Sequence, residues 1–294
     1  MVPEGPESVH PAADAALREV LHCGHILGLV PMRAAAGCGL CLPYDLPATM
    51  RAGVTRQESL GDATMNRCTL GFTLRPVACR QDLLDACAVR AQAYGHHLPE
   101  LGAALAEPDE LDRFKGTTVF LCREKGSGRA VGTMRIQTNA AGPLLIEDSV
   151  ALPPWLAGSP RAEVTRLAVP VGSDPLTRLC LWKASYLFCV AHELDWMVIG
   201  ARSEALIRNY RRLGFVDVFG PEGLMPLAHT GGVLHRIMAF DAASAKRVWG
   251  ELRHPLYTFM FETEHVDIQV GQRPVPVGRP EVWSVGHPLR PAIA

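Results

Sequence analysis

Between Thr69 and Asp241 the chain changes its apolar period repeatedly, and that alternation limits the fold more than any single motif. TTVFLCRE (117–124) and AVGTMRIQTN (130–139) are two strand-like runs joined by KGSGR, whose Gly-Ser-Gly predicts a hairpin. EVTRLAV (163–169) follows as a further strand. From Thr177 to Glu193, residues Leu181, Ala184, Leu187, Phe188 and Ala191 fall at helical spacing. WMVIGA (196–201) reads as a buried strand, and Ser203 to Leu213 as a helix stopped by Gly214. Upstream, TLGFTLRPV (69–77) alternates as a strand, and Gln81 to Tyr94 is helical through Leu84, Cys87, Ala88 and Ala91. Glu107 to Arg113 is a short acidic piece, while VDVFG and HRIMAFD complete the strands. The order is strand, helix, helix, three strands, helix, strand, helix, strand, strand, which is an α/β chain.

The flanks have a different texture. Residues 1–66 are rich in Ala, Gly and Pro, with one helical pattern near Asp14 to Leu29, and read as a poorly ordered or accessory segment. The main domain is expected over 67–245. Residues 246–294 read as a Pro-rich extension containing VGQRPVPVGRPEVW. An apolar fraction of 48% in 294 residues is ample for a core. A formal charge of −1 provides no whole-molecule field, which argues against a bulk nucleic-acid binder; an acidic partner needs a local basic patch. Nine cysteines, an odd number without framework spacing, fit a reducing compartment. Cys38 and Cys41 form one close pair without a second ligand pair. The adjacent His96 and His97 lack a third ligand, so no metal site is expected. Glu4, Glu7 and Asp14 stand where a signal peptide needs positive charge, and no apolar run reaches the roughly 20 residues that span a bilayer. The expected location is the cytoplasm, with any membrane contact transient.

IRNYRRLGFVDVFG (207–220) ends a helix in a tyrosine, then basic residues and Gly-Phe. With Tyr210, Arg212, Gly214 and Phe215 at these positions, the element order resembles the GNAT (acyl-CoA N-acyltransferase-like) fold. That resemblance implies a mixed central sheet with helices on both faces, here with N- and C-terminal extensions. Ordinary acetyl-coenzyme A users of this fold carry a glycine-rich pyrophosphate loop before the helix after the central strand. The corresponding stretch here, AVPVGSDPLTRLCLW, holds one glycine, Gly172. The chain is more similar to the subgroup that takes acyl chains from acyl carrier protein, comprising acyl-homoserine lactone synthases and long-chain N-acyl amino acid synthases. Arg90 and Tyr94, Asp109-x-x-Asp112, Gly132-Thr133-Met134-Arg135 and Glu163-x-x-Arg166 match that subgroup in order. Lactone synthases usually carry a tryptophan near 96–100, and none is present, which favours the N-acyl amino acid synthases.

The resemblance implies a co-substrate, an acyl-phosphopantetheine on acyl carrier protein or on coenzyme A, and no permanently bound cofactor. Its acceptor is the amine of an amino acid. Amide formation from a thioester needs a neutral amine, and Glu163 is the candidate carboxylate to take its proton; the alternative is a structural ion pair with Arg166 or Arg135. Main-chain amides over Leu167 to Val169 are the candidate oxyanion donors. Tyr210 either protonates the leaving thiolate or packs with Leu206 and Leu213. Arg90, Asp109, Asp112 and Arg135 form a set able to hold a loop over the acceptor, and Arg135 or Arg166 can instead hold the acceptor's own carboxylate. A solvated salt bridge is the plainer reading of each.

Acyl carrier protein is acidic, so its docking face requires local positive charge. Arg202, Arg208, Arg211 and Arg212 on one helix, with Arg178 and Lys183 on its neighbour, are the candidates; a solvated charged face is the alternative. Three functions stay open: an N-acyl amino acid synthase, a lactone synthase making a quorum signal, and a GNAT-derived scaffold without turnover. A long apolar tunnel favours the first two, a filled interior the third.

Overall fold

The computed structural model describes residues 66–96 and 98–271. In chain order the strands and helices are β1 (Asn66–Cys68), β2 (Phe72–Pro76), α1 (Arg80–Gly95), α2 (Pro99–Ala104), β3 (Thr117–Glu124), β4 (Ala130–Thr138), α3 (Pro154–Ala157) and β5 (Arg161–Ala168). They continue with α4 (Pro175–Ala191), β6 (Trp196–Ala201), α5 (Glu204–Arg212), β7 (Val216–Asp217), β8 (Leu224–Leu227), β9 (Val233–Asp241), α6 (Ala245–Glu251) and β10 (Thr263–His265). The main sheet runs β2-β3-β4-β5-β6-β9-β7, with β8 also paired to β9. Its pairs are antiparallel except β5 with β6. A helix pair between the first two sheet strands and a parallel pair at the centre, bridged by α4, make this the GNAT fold expected from the sequence.

Alternation along the strands assigns the two faces. Phe120 and Cys122 pack into the core under α4, while Val119 and Leu121 join Ala86 of α1 on the opposite side. α4 begins at Asp174, whose side chain accepts from Leu176 N–H at 2.8 Å ahead of Pro175. It buries Cys180, Leu181, Ala184 and Phe188 against the sheet. Ser203 caps α5 in the same way, accepting from Leu206 N–H at 3.3 Å. Gly214, at φ 88°, ends that helix in the left-handed conformation.

The sheet opens at its centre. Arg135 pairs with Thr165 but Thr133 pairs with Ala168, so Arg166 and Leu167 stand opposite Met134 alone. This is a β-bulge with Arg166 at φ 54°. Pairing of β5 with β6 covers only Arg161–Trp196, Ala162–Met197 and Glu163–Val198. Beyond Glu163 the two strands part, and β6 continues against β9.

Three expectations need correction. The domain does not stop at 245: α6 and a π-helical turn (Thr258–Glu262) bury Trp249, Leu256 and Met260 in the main core, and β10 pairs in parallel with β1. These apolar pieces are short, and the prolines that marked an extension lie mostly beyond 271. VDVFG yields a two-residue strand, and the longer pairing with β9 belongs to β8, masked in sequence by Pro226, which a sheet edge tolerates. Lys183 is not a docking residue. It is buried, and its Nζ donates to the carbonyls of Phe259 (2.6 Å) and Thr263 (2.5 Å) and to His265 Nδ1 (2.9 Å). Burial lowers its pKa to about 8 and that of His265 to about 4, leaving the imidazole neutral and able to accept. The segment over 1–65, with Cys38, Cys41 and the Asp14–Leu29 pattern, lies outside the described residues, as does 272–294. Among the described residues no helix is long and apolar enough to cross a membrane.

Lys183 therefore ties residues 258–265 to α4. Lys183→Met leaves two buried carbonyls and a ring nitrogen without their donor, costing about 1–3 kcal/mol for such a group. Urea unfolding should show that loss, and hydrogen exchange should show faster opening of 258–265 than of β5.

Candidate active site

The bulge is surrounded by charge. Arg90 of α1 is 1% exposed and donates through Nη1 to Asp112 Oδ2 at 2.7 Å. Arg135 of β4, equally buried, places Nη1 2.7 and 2.8 Å from the two oxygens of Asp109 and 3.3 Å from Asp112 Oδ1; its Nε donates to Thr165 Oγ1 at 3.0 Å. The aspartates lock each other's backbone: Asp109 N–H donates to Asp112 Oδ2 at 3.1 Å, and Asp112 N–H to Asp109 Oδ1 at 2.9 Å. Arg166 Nη2 lies 3.7 Å from Asp109 Oδ2. The four sequence-matched residues thus form one buried cluster across α1, the 107–113 segment and β4, with Arg166 of β5 beside it, and the solvated alternative fails for Arg90, Asp112 and Arg135.

Burial opposes ionisation of Asp109, but hydrogen bonding and the charge of Arg135 hold its pKa below the usual carboxylate value. Burial, with repulsion from Arg135, lowers that of Arg166. Three guanidinium groups face two carboxylates, so the cluster carries one surplus cation. Arg90 Nε and Nη2, and Arg166 Nε, are buried without a hydrogen-bond partner among the described residues.

Glu163 is the last residue of β5 paired with β6, and it is 1% exposed. Its Oε2 accepts from the amide of Ile146 in a 3-10 turn (Leu145–Asp148) at 2.9 Å. Burial raises its pKa to about 7, against the pull of the Ile146 N–H and Arg135 and with a further push from Glu147 and Asp148. The expected alternative of an ion pair does not form: Arg135 and Arg166 direct their guanidinium groups to the aspartates. Ile146 and Val198, the neighbours of Glu163, belong to a buried apolar cluster with Leu144, Leu156 and Ile237.

Tyr210, at the end of α5, packs its ring against Phe215 with centroids 5.1 Å apart. Burial raises its pKa to about 12; Tyr94 pushes the same way and Arg178 against it. Tyr94 reaches over from α1, its hydroxyl 3.4 Å from the carbonyl of Leu167, and burial raises its pKa too. Tyr210 therefore packs, on Phe215, with Tyr94 close enough to act on its ionisation. Leu167 and Val169 are half-buried there.

Of the docking candidates, Arg208, Arg211 and Arg212 are exposed, with Arg211 bonded to Asp217 at 2.5 Å. Arg178 is a correction, being half-buried and set beside Tyr210; Arg202 is half-buried as well. A groove of about 380 Å³ lined by Arg211, Arg212, Val216, Val248, Trp249 and Leu252 runs past the exposed arginines. A second, of about 320 Å³, lies between α1 and the β3–β4 hairpin. Neither groove is lined by Glu163 or Tyr210.

Sequence reasoning missed Thr165, Ile146 and His229. Thr165 and Ile146 act through a hydroxyl and an amide placed by the fold. His229 sits in a hairpin turn, AHTGG, whose glycines signal only the turn.

Asp112 compensates two buried guanidinium groups, so Asp112→Asn strands charge in the interior. A loss of about 3–5 kcal/mol of unfolding free energy is expected in urea titration.

No protein-family model matches this sequence, and no curated protein matches it. Among solved structures it is similar to FeeM, an N-acyl amino acid synthase from uncultured soil microbes, at 17% identity and a TM-score of 0.45, covering 64% of this chain and 99% of that one. It is similar to BjaI, a CoA-dependent acyl-homoserine lactone synthase, at 15% identity and a TM-score of 0.45, covering 69% and 96%. A putative acetyltransferase of the GNAT family from Desulfovibrio desulfuricans matches at 16% identity and a TM-score of 0.42, covering 58% and 99%. The assignment of the GNAT fold to this chain rests on its own strand order and its divided central pair.

Proposed function

We propose that this chain is an N-acyltransferase that moves a long-chain fatty acyl group from an acyl-phosphopantetheine thioester on acyl carrier protein to the amine of an amino acid. The observation that carries the reading is the opened β5–β6 pair, flanked by an ionisable buried carboxyl and by a cationic cluster with guanidinium N–H groups to spare. A carboxylate is the ligand such a cluster suits, because a guanidinium fork matches it in charge and geometry. Arg90 and Arg166 then hold the acceptor's carboxylate, while Arg135, Asp109 and Asp112 fix their positions and Tyr94 closes the side next to Leu167.

With the acceptor held there, Glu163 takes a proton from the ammonium group. The freed amine attacks the thioester, main-chain amides near Leu167 and Val169 receive the oxyanion, and Tyr210 gives a proton to the departing thiolate. Arg208, Arg211 and Arg212 supply the positive surface for the acidic carrier; Arg178, half-buried beside Tyr210, belongs to the thioester end of the site instead. The buried apolar cluster beside Glu163 favours a second reading, a GNAT-derived scaffold without turnover.

Mass spectrometry of products from palmitoyl carrier protein and the twenty amino acids separates the two. Under the enzyme reading an N-acyl amino acid forms, and Glu163→Gln lowers its rate by about 10²–10⁴-fold. Silence with palmitoyl, myristoyl and lauroyl donors alike would leave the scaffold. Because the base works ionised and its pKa is about 7, the rate should climb with pH through that value and then level. The same shift has a stability consequence. Between the ordinary 4.5 and about 7 the folded chain's Glu163 binds more proton than the unfolded chain's. Its own contribution to stability therefore falls as pH rises across that window, against the rise contributed by the depressed His229 and His265. Urea titrations across that window should show the stability of Glu163→Gln rising with pH more steeply than that of the natural chain.

The docking surface makes its own prediction. Charge reversal at Arg208, Arg211 and Arg212 should raise KM for the carrier-bound donor and weaken its salt dependence, leaving KM for a small acyl-pantetheine donor unchanged.

A further inference from the structure

An α-ammonium must lose two protons to become an amide N–H. Glu163, regenerated once per turn, accounts for one of them. Another titratable side chain lies in a turn tied to the segment that holds Glu163. β8 and β9 form a hairpin whose turn, Ala228–Thr230, projects beyond Ala201, the end of β6. The turn is anchored where it meets the Glu163 side of the sheet, because Ala228 N–H donates to Ser149 Oγ at 2.8 Å, next to the 3-10 turn that holds Glu163.

His229 is the middle residue of this turn. The charges that reach it are those of His235 from β9, Arg166 from β5, Arg135 from β4 and Asp148 from the 3-10 turn. Arg135 and Asp148 also act on Glu163, so the imidazole and the carboxyl share one set of neighbours. His229 Nδ1 is buried with no hydrogen-bond partner among the described residues, a lone pair or N–H facing inward without an occupant. His235 differs, since its Nδ1 lies 2.8 Å from the carbonyl of Val233.

We propose that His229 is a catalytic residue of this site, the acceptor of the second proton, taken from the acceptor nitrogen as its bond to the acyl carbon forms. This rests on the acyl-transfer reading given above. Nitrogen first gives one proton to the Glu163 carboxylate and then attacks the carbonyl carbon. The resulting N–H⁺ gives its second proton to the neutral imidazole, the C–S bond breaks with its electron pair on sulfur, and sulfur takes a proton from Tyr210. Glu163 and His229 release their protons to water and Tyr210 regains one, so one proton is liberated per amide formed. Burial, with His235, Arg166 and Arg135, pushes its pKa down to about 4. The ring is therefore neutral before the step and a weaker base than a free imidazole, strong enough only for the more acidic N–H⁺ formed on attack.

The test uses the full chain with palmitoyl carrier protein and the responsive amino acid, beside the matching aminooxy acid. The aminooxy nitrogen is weakly basic and arrives uncharged, so it needs only the second proton removed. Expected is a fall of about 10²-fold or more in kcat for His229→Gln with both acceptors, whereas the aminooxy acid restores Glu163→Gln alone. Added imidazole should restore His229→Ala, a readout that stands even if the variant melts earlier. An unchanged kcat in His229→Gln, or a His229→Ala chain that imidazole does not rescue, overturns the proposal while leaving acyl transfer intact. Absence of product from the natural chain overturns both together.

Discussion

The architecture of the site depends on Arg166 standing in a left-handed backbone conformation within a sheet. Such a conformation costs a residue other than glycine on the order of 1–3 kcal/mol and persists only where its surroundings over-determine it. Here the surroundings are electrostatic. Asp109 draws the Arg166 guanidinium, Arg135 fixes Asp109 and also binds Thr165, the residue just before the bulge, and Arg90 and Asp112 fasten the far side of the same cluster to α1. Two residues are thereby forced opposite one, β5 turns away from β6 after Glu163, and the sheet acquires an interior edge.

How much of this was legible in the sequence follows from which interactions are local. The β3–β4 hairpin, α1, α4, β6 and α5 were readable because their apolar periods and their stops, Gly214 above all, are written within a few residues. Arg90, Asp109, Asp112, Arg135 and Glu163 were legible as residues, though not as contacts. Nothing in their spacing distinguishes Glu163 bound to an arginine from Glu163 capped by the Ile146 amide. Lys183 shows the opposite failure. A lysine on a long helix near other cations suggests a solvated face, and only the return of residues 258–265 over that face turns it inward. His229 gave no periodic signal, because a turn residue owes its neighbours to the strands on either side.

The same physical cause, removal from water, acts with opposite sign on the two groups proposed as proton acceptors. It favours the neutral form of each, raising Glu163 and lowering His229. The arginines act on both with one sign, because positive charge lowers both pKa values, tempering the rise at Glu163 and adding to the fall at His229. One cationic cluster thus surrounds the bulge, carries the guanidinium N–H groups proposed to hold a carboxylate, and adds to the effect of burial on the protonation of both neighbours. It can do so because it is buried: at the surface, water and salt would screen its charges within about 8–10 Å.

The buried apolar cluster beside Glu163 must be weighed on the same terms. Leu144, Ile146, Leu156, Val198 and Ile237 already exclude water, so an entering acyl chain would exchange protein–protein dispersion contacts for protein–lipid contacts of similar strength. The main cost of opening is then distortion of tightly packed neighbours rather than exposure of apolar surface. That cost falls on α3 and the 3-10 turn, which supply Leu156 and Ile146 and are short elements outside the sheet. Displacing the 3-10 turn would also move the Ile146 amide away from Glu163, leaving its carboxylate with one fewer donor and raising its basicity. In such a chain, acyl entry and activation of the base would be a single movement, whereas a scaffold gains nothing from hanging the one glutamate buried among the described residues on the element that must move.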